Sequence, residues 1–377
     1  LGDVFVLTPE VLNVMLVIGC LTAVYGAIAG MLQFDIKKVL AYSTVSQLGF
    51  MFMAAGVGAF DVALFHVFTH AFFKAALFLG AGSVIHALHH EQDLRKMGGL
   101  RKRLPMTHMA MSFAWASIIG VPLAAGFWSK DLILEKLFHH EGLGATVGVV
   151  AVITAALTAY YMSRMMYLAF WSPSRLAEKD LAAVHEAPAS MTIPVVLLGF
   201  GGLVAGTVWV ESFFGIVISP KIDFFQAFLK PVLAPSELLH DRGYFEAHGS
   251  FMIAVMAFFA AAFGWFIAHS VFRRGPWGGG EAAAKALPLR GFAAAWTTGI
   301  DTVYSWLIVK PLRVVSWTLA HIIDGAILGG VVRTIASTTD ALADGYTFFQ
   351  RGRLRSSLLL SLAGAVILLG VLLWDLW

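Results

Sequence analysis

Apolar runs long enough to cross a bilayer follow one another along almost the whole chain, and that repetition leaves the backbone little choice. A hydrocarbon core about 30 Å thick needs roughly 20 helical residues to span it. No water reaches exposed amides there, so each span must close its own hydrogen bonds, which a helix does. Runs of the required length lie at 10–31, 39–58, 62–88, 106–140, 145–171, 190–210, 249–272 and 355–376. Composition agrees: 59% of residues are hydrophobic and 13% charged, whereas a soluble domain carries about 25% charged residues. The expected fold is an all-α polytopic membrane protein with about eight transmembrane helices.

The connecting loops alternate in charge. Lys37 and Lys38 follow the first crossing, and Arg95, Lys96, Arg101, Lys102 and Arg103 follow the third. Arg175 and Lys179 follow the fifth, and Arg273 and Arg274 the seventh. The opposite loops near 59–61 and 139–144 carry no Lys or Arg, and the long one at 211–248 carries few. By the positive-inside rule the basic loops face the cytoplasm and both chain ends lie outside. The net charge of +3 is small and dispersed, which argues against a nucleic-acid partner. The chain starts at Leu1 with no charged n-region before the first apolar run, so it is expected to begin inside a longer protein.

Two segments are irregular. The fourth run is too long for one straight helix, and its middle reads Gly120-Val121-Pro122-Leu123-Ala124-Ala125-Gly126-Phe127-Trp128-Ser129-Lys130-Asp131. Pro122 lacks an amide donor and the glycines loosen the chain, so the helix should break there. Broken backbone at membrane depth persists only where protein or a hydrated cavity surrounds it, and such breaks mark ion sites in transporters. Residues 289–353 are helix-forming and aromatic but are interrupted by Asp301, Lys310, Pro311, Arg313, His321, Asp324, Arg333, Asp340 and Asp344. They fit either a helix lying along the membrane surface or two imperfect spans, for instance around 314–332. The parity of the basic loops allows both.

The chemistry concentrates on the third run. His66, His70 and Lys74 step by four, so a helix stacks them on one face. About thirteen residues of helix flank Lys74 on each side, which places it near the bilayer centre. A charge there costs at least ~3 kcal/mol on insertion scales, so the amine must face protein or water. Proton transfer is the function this points to. The competing readings are a lysine snorkelling to the headgroups or a static ion pair, and for the histidines ordinary packed core residues. Lys130 and Asp131, beside the break, are a second candidate site, the competing reading being a helix-start charge with a local partner. The polar cluster Tyr42 to Gln47 either hydrates a path or makes interhelical hydrogen bonds. His86, His89 and His90 read as a solvated helix end.

A lysine carrier has an energetic requirement. A free lysine holds its proton to pH ~10.4. A second protonated lysine ~10 Å away adds about 1.7 kcal/mol of repulsion at an effective dielectric near 20, so a row of buried lysines can hand protonation along. Moving one charge through 100 mV costs ~2.3 kcal/mol, and nothing in this sequence supplies that energy. Cys20 is the only cysteine. No disulfide framework, cysteine-ligated zinc or iron–sulfur cluster can be built from it, and the two histidines lack the carboxylate pattern of a zinc site. Electron transfer must therefore occur on another chain.

The runs DIKKVLAYSTVSQLGFM (35–51), HVFTHAFFKAALFLGAGSVIHA (66–87), HHEQDLRKMGGLRKRLP (89–105) and GFWSKDLIL (126–134) resemble the antiporter-like L subunit, or chain 5, of proton-pumping NADH:quinone oxidoreductase, respiratory complex I. The similarity is at motif level over about 10–171 and looser beyond, where VKPL (309–312) and the last run fit. The resemblance implies that 1–171 is the second half of an antiporter-like bundle and 172–288 further spans and loops. It makes 289–353 a lateral amphipathic helix on the cytoplasmic face and 354–377 its anchoring span. It implies that Lys74, with His66 and His70, is the central-channel lysine and that Lys130 is the broken-helix lysine beside the outward half-channel. Asp35 and Lys37 match a loop pair that the family keeps, and Asp131 follows the second lysine. The first half, with its buried glutamate–lysine pair, is missing, as is the opening crossing of the second repeat.

The function this implies is a proton-translocating membrane-arm subunit in a bacterial plasma membrane or inner mitochondrial membrane. It would be driven by quinone reduction elsewhere, with FMN, iron–sulfur clusters and quinone on partner subunits and no cofactor on this chain. The alternatives are the large subunit of a multi-subunit cation/proton antiporter, a membrane-bound hydrogenase relative, or a mainly structural clamp of the membrane arm. For the clamp, Asp301 and Asp324 are candidate contacts.

Overall fold

The computed structural model describes residues 8–208, 212–213, 216–217, 228–229, 251–274, 299, 302–350 and 354–374. The helices are α1 (Pro9–Leu32), α2 (Ile36–Gly56), α3 (Phe60–Ala87), α4 (Pro105–Ile119), α5 (Ala125–His139), α6 (Gly144–Trp171), α7 (Ala189–Val204), α8 (Phe251–Phe272), α9 (Thr302–Thr347) and α10 (Leu354–Trp374). The described residues also hold a short helix, Glu178–Ala183, 3₁₀ turns at Leu94–Lys96, Leu100–Lys102 and Ala205–Val208, and an antiparallel pairing of Ser212–Phe213 with Ile216–Val217. The chain separates into two compact units, 1–296 and 297–377.

The ends of the bundle helices are set by local chemistry. Pro9 and Pro105 open α1 and α4, where the missing amide costs nothing. Asp35 caps α2, its carboxylate accepting from the backbone amides of Lys37 (2.8 Å) and Lys38 (3.3 Å). Two caps come from far along the chain. Glu186 accepts from the Met106 amide (2.8 Å) and the Thr107 hydroxyl (2.5 Å) at the start of α4. The Arg164 guanidinium in α6 donates to the carbonyls of Met31 (3.0 Å) and Gln33 (2.8 Å), closing the C-terminal end of α1.

The fourth run breaks where expected. Gly120 takes φ +84°, and the amides of Val121 and Gly120 return to the carbonyls of Ala116 (2.9 Å) and Ser117 (3.0 Å). This is a Schellman termination. Val121 to Ala124 then form a turn closed at 3.1 Å, with Pro122 in its second position. Leu123 holds φ +74° in the third, where glycine would be relaxed; the conformation costs roughly 1–2 kcal/mol. The chain re-enters helix as α5, with the Ser117 hydroxyl accepting from the Gly126 amide at 2.8 Å. That approach excludes a side chain, since a Cβ on Gly126 would lie 2.1 Å from the Ser117 carbonyl oxygen. α5 packs against α2, α3, α4, α6, α7 and α8, so the broken backbone is enclosed by protein.

Beneath the basic loops, Leu94 and Ile36 exchange backbone hydrogen bonds with Phe34 and Gln92. Arg175 donates to the carbonyls of Arg95 (2.9 Å), Leu94 (2.9 Å) and Leu168 (2.5 Å), and burial lowers its ionisation to about 10. In the same loop the Arg95 guanidinium holds the Asp93 carboxyl below the usual range, and Lys96 does so for Glu91.

In the second unit α9 is one continuous helix of 46 residues, about 69 Å long. Its turns widen at Ser305–Val309 and Leu319–Leu328 but do not reverse the chain. Two spans would need a reversal between them, so the two-span reading of this segment is wrong. Its polar and apolar residues are exposed all round within the unit, Asp324 among them. Asp301, and residues 289–298 and 351–353, lie outside the described residues.

Two outcomes follow. Gly126→Ala should destabilise the purified protein by about 1–3 kcal/mol, seen as a lower Tm in detergent; an unchanged Tm refutes the close contact with Ser117. For Asp93 and Glu91 the folded ionisation lies below the unfolded one, so their contribution is complete above the ordinary carboxylate range and is lost as pH falls through the depressed folded values. Hydrogen exchange in 89–104, corrected for intrinsic rates, should accelerate across that acidic window, and Asp93→Asn should weaken the step.

Candidate functional site

Helix α3 carries the expected face, and its neighbours explain why each group is tolerated there. His66, Lys74 and Lys130 are almost fully buried and His70 is 9% exposed. The Lys74 ammonium donates to the Leu40 carbonyl on α2 at 2.8 Å and to the Ser43 hydroxyl, and the Phe78 ring lies 5.5 Å away. The amine is buried, and among the described residues it makes no ion pair. Oxygens without formal charge hold it, which leaves it free of a carboxylate that would lock its proton in place.

Lys130 is held in the same manner by a product of the break. The Schellman turn uses the carbonyls of Ala116 and Ser117 but leaves that of Ile118, which accepts from the Lys130 ammonium at 2.7 Å. A cation at a helix C-terminus also meets the negative end of the helix dipole. The Phe50 ring lies 5.5 Å from the ammonium. Asp131 is close enough to act on Lys130 electrostatically, yet its Oδ2 is buried without a hydrogen-bond partner. Asp131 is thus an electrostatic neighbour of Lys130 rather than its hydrogen-bond partner, which is the helix end.

Around His66, residues of α2, α3 and α5 form a hydrogen-bonded polar cluster. His66 bonds through Nδ1 to the Ser129 hydroxyl (2.9 Å) and through Nε2 to Gln47 Oε1 (3.2 Å). Ser129 meets the Thr69 hydroxyl at 2.8 Å. The His66 and His70 rings are 6.1 Å apart. His70 lies within electrostatic reach of both Lys74 and Lys130, and its Nε2 is buried with no hydrogen-bond partner. Histidine between two cations is the geometry in which charge on one neighbour bears on protonation at the next.

The polar cluster on α2 is spent on contacts between helices. Ser43 serves Lys74 and Gln47 serves His66, while Ser46 donates to the Ala23 carbonyl on α1 at 2.9 Å. Asp35 and Lys37 are not part of the line: Asp35 is the α2 cap, at the end of the bundle that bears the basic loops. Sequence reasoning missed Ser129, Thr69, Tyr161 and Glu135. Tyr161 on α6 is fully buried beside Ser43, Ser46 and Thr158, and Glu135 is buried one turn beyond Asp131. A partial signal existed for Glu135, since it follows Asp131 by four on the same run. Among the described residues no group of three His, Cys, Asp or Glu side chains is placed to hold a metal ion.

Residues 2–158 match the family model described as NADH:quinone oxidoreductase/Mrp antiporter, transmembrane. Over those residues the chain is similar to this family of antiporter-like membrane subunits. NADH-quinone oxidoreductase subunit L of Rhodobacter capsulatus is 46% identical over 226 residues, covering 57% of this chain and 32% of that protein. Subunit L of Mycobacterium tuberculosis (strain H37Rv) is 45% identical over 54% of this chain and 32% of its own length. NADH-ubiquinone oxidoreductase chain 5 of Marchantia polymorpha is 41% identical over 57% and 32%. The match thus spans about a third of the length of these relatives. A solved structure of the Mrp complex from Dietzia sp. DQ12-45-1b shares the fold, with a TM-score of 0.50 at 23% identity over 86% of this chain and 33% of that chain. The molecule is a multi-pass integral membrane protein.

The two lysines should differ when removed. The Leu40 carbonyl retains the Ser43 and Thr44 hydroxyls as donors (both 3.1 Å) after Lys74→Met, whereas Lys130→Met takes from the Ile118 carbonyl its lysine donor. An orphaned buried acceptor costs about 1–3 kcal/mol. Thermal unfolding in detergent should therefore show the larger loss for Lys130→Met; the reverse order would refute the capping role.

Proposed function

We propose that this chain is part of a proton-translocating membrane-arm subunit of NADH:quinone oxidoreductase, and that protons move along Lys74, His70, His66, Ser129 and Lys130. The single observation that carries the reading is that two buried lysines are held by oxygens without formal charge, with histidines between them. A permanently charged structural lysine would be expected to have a carboxylate; a carrier must be able to lose its proton. Asp131, and Glu135 beyond it, would extend the line along α5 toward the loop at 140–143. Cation/proton antiport as part of a multi-subunit assembly is the second reading, favoured by the shared fold of the Mrp complex.

The subunit would contain no redox centre; FMN, iron–sulfur clusters and quinone would reside on partner subunits, and quinone reduction there would supply the energy. The basic loops would lie on the cytoplasmic side. The 46-residue α9, more than twice as long as a bilayer core is thick, would run along that face against neighbouring membrane-arm subunits, with α10 as its anchor. Asp35 and Lys37, on the basic-loop end, would belong to the coupling between neighbours rather than to the proton line.

Lys74→Ala in the assembled complex should abolish most proton pumping into membrane vesicles and slow coupled NADH oxidation. An unchanged ratio of protons pumped to NADH oxidised would end the reading. Copurification separates the two hypotheses: NADH-oxidising and iron–sulfur subunits for the oxidoreductase, small hydrophobic partners for the antiporter.

A further inference from the structure

Gln47 is fully buried, and its side chain bonds in only one direction. Oε1 accepts from His66 Nε2, while the amide nitrogen is buried with no partner. With Oε1 facing the ring, the hydrogens fall into one order. Thr69 donates to Ser129 (2.8 Å), Ser129 to His66 Nδ1 (2.9 Å), and His66 Nε2 to Gln47 (3.2 Å). The acceptors for the opposite order are already in place. The Ser129 hydroxyl lies 3.3 Å from the Ala125 carbonyl and the Thr69 hydroxyl 3.2 Å from the His66 carbonyl. If the Gln47 amide turns over, its nitrogen donates to His66 Nε2, His66 Nδ1 donates to Ser129, and Ser129 and Thr69 pass to those carbonyls. Every hydrogen bond to the ring survives with its polarity reversed. Because the amide nitrogen has no bond to lose, the turn breaks only the contact with the ring that it re-forms.

We propose that Gln47 is a positioning residue for proton passage, an invertible amide that holds His66 in either neutral tautomer. The proposal rests on the proton-relay reading above. Ser129 gives its hydroxyl proton to Nδ1 as the Lys130 ammonium replaces it, so Lys130 becomes neutral and His66 the imidazolium, with Nε2–H still donating to Gln47. The Nε2 proton then passes to His70, which becomes the cation, and His66 is left as the neutral Nδ1–H tautomer. One proton has entered, one has left and the net charge is restored, but Nε2 now needs a donor in place of an acceptor. Turning the Gln47 amide supplies that donor, and the reverse turn resets the ring for the next proton. An apolar side chain would satisfy neither tautomer, and an ionised carboxylate would satisfy one alone.

The test uses the whole complex in sealed vesicles, comparing protons pumped per NADH oxidised for the parent, Gln47→Met, Gln47→Glu and Lys74→Ala. Gln47→Met keeps the length of the side chain but makes no hydrogen bond of this kind; it should lose most of the pumping. The carboxyl introduced by Gln47→Glu both donates and accepts while protonated and only accepts once ionised. Its pumping should therefore approach the parent's at low pH and fall as pH rises, a step the parent lacks. The other titratable groups on elements packed against α2 are Asp61, His66, His70, Lys74 and His86 on α3, Lys130, Asp131, Glu135, Lys136 and His139 on α5, Tyr160, Tyr161, Arg164 and Tyr167 on α6, and Glu10, Cys20 and Tyr25 on α1. All are common to parent and variant. Parent-like pumping in Gln47→Met, or a parent-like pH profile in Gln47→Glu, overturns the proposal while a defect in Lys74→Ala leaves the relay reading standing. Should Gln47→Met fail to assemble, the Gln47→Glu profile decides. Normal pumping in Lys74→Ala sinks the underlying reading instead.

Discussion

The bond from Lys130 to the Ile118 carbonyl is where the backbone and the chemistry of this protein meet. A helix that stops inside a membrane leaves carbonyls that lipid cannot satisfy. The Schellman turn at Gly120 takes two of them, and the ammonium takes a third. The break thereby creates the acceptor that makes a buried lysine tolerable, and the lysine in turn makes the break tolerable. Neither would stand alone: an unfilled carbonyl costs about 1–3 kcal/mol, and an amine without an acceptor would cost more.

The same device appears at Lys74 with different parts. There the acceptor is the Leu40 carbonyl, within α2, helped by the Ser43 hydroxyl. Helix carbonyls and hydroxyls accept from an ammonium without neutralising it, and among the described residues neither lysine is hydrogen-bonded to a carboxylate. Asp131 is near Lys130 but keeps an oxygen unpaired. Histidine lies between the two, and Gln47, Ser129 and Thr69 tie it to α2, α3 and α5. Because α5 is enclosed by six other helices, the line is buried, and its unpaired atoms at His70, Asp131 and Gln47 are polar groups held away from lipid.

Much of this was legible in the residues. The broken helix followed from Pro122 between Gly120 and Gly126, because a missing amide and a left-handed position are local properties. The common face of His66, His70 and Lys74 followed from their spacing of four. The place of Lys74 midway along α3 followed from the length of its run. What escaped were partners brought from elsewhere in the chain. Ser129 and Thr69 carry no signature of their own, and Glu186 capping α4 from about 80 residues away is invisible to any local pattern. The polar cluster of α2 could have lined water or joined helices. The structure shows joining, since Ser43 and Gln47 reach α3 and Ser46 reaches α1.

Sequence alone determined that this chain spans a membrane many times, where it breaks a span, and which basic side chains are carried into the apolar layer. These are matters of run length, missing donors and helical period, all local. Only the tertiary structure decided what those side chains touch. It gave Lys130 a helix-end carbonyl as its hydrogen-bond partner, made Asp35 the cap of α2, and made 302–347 one helix. Those outcomes depend on which carbonyls and hydroxyls packing brings within about 3 Å, and a hydrogen bond at that range is set by the positions of several helices at once.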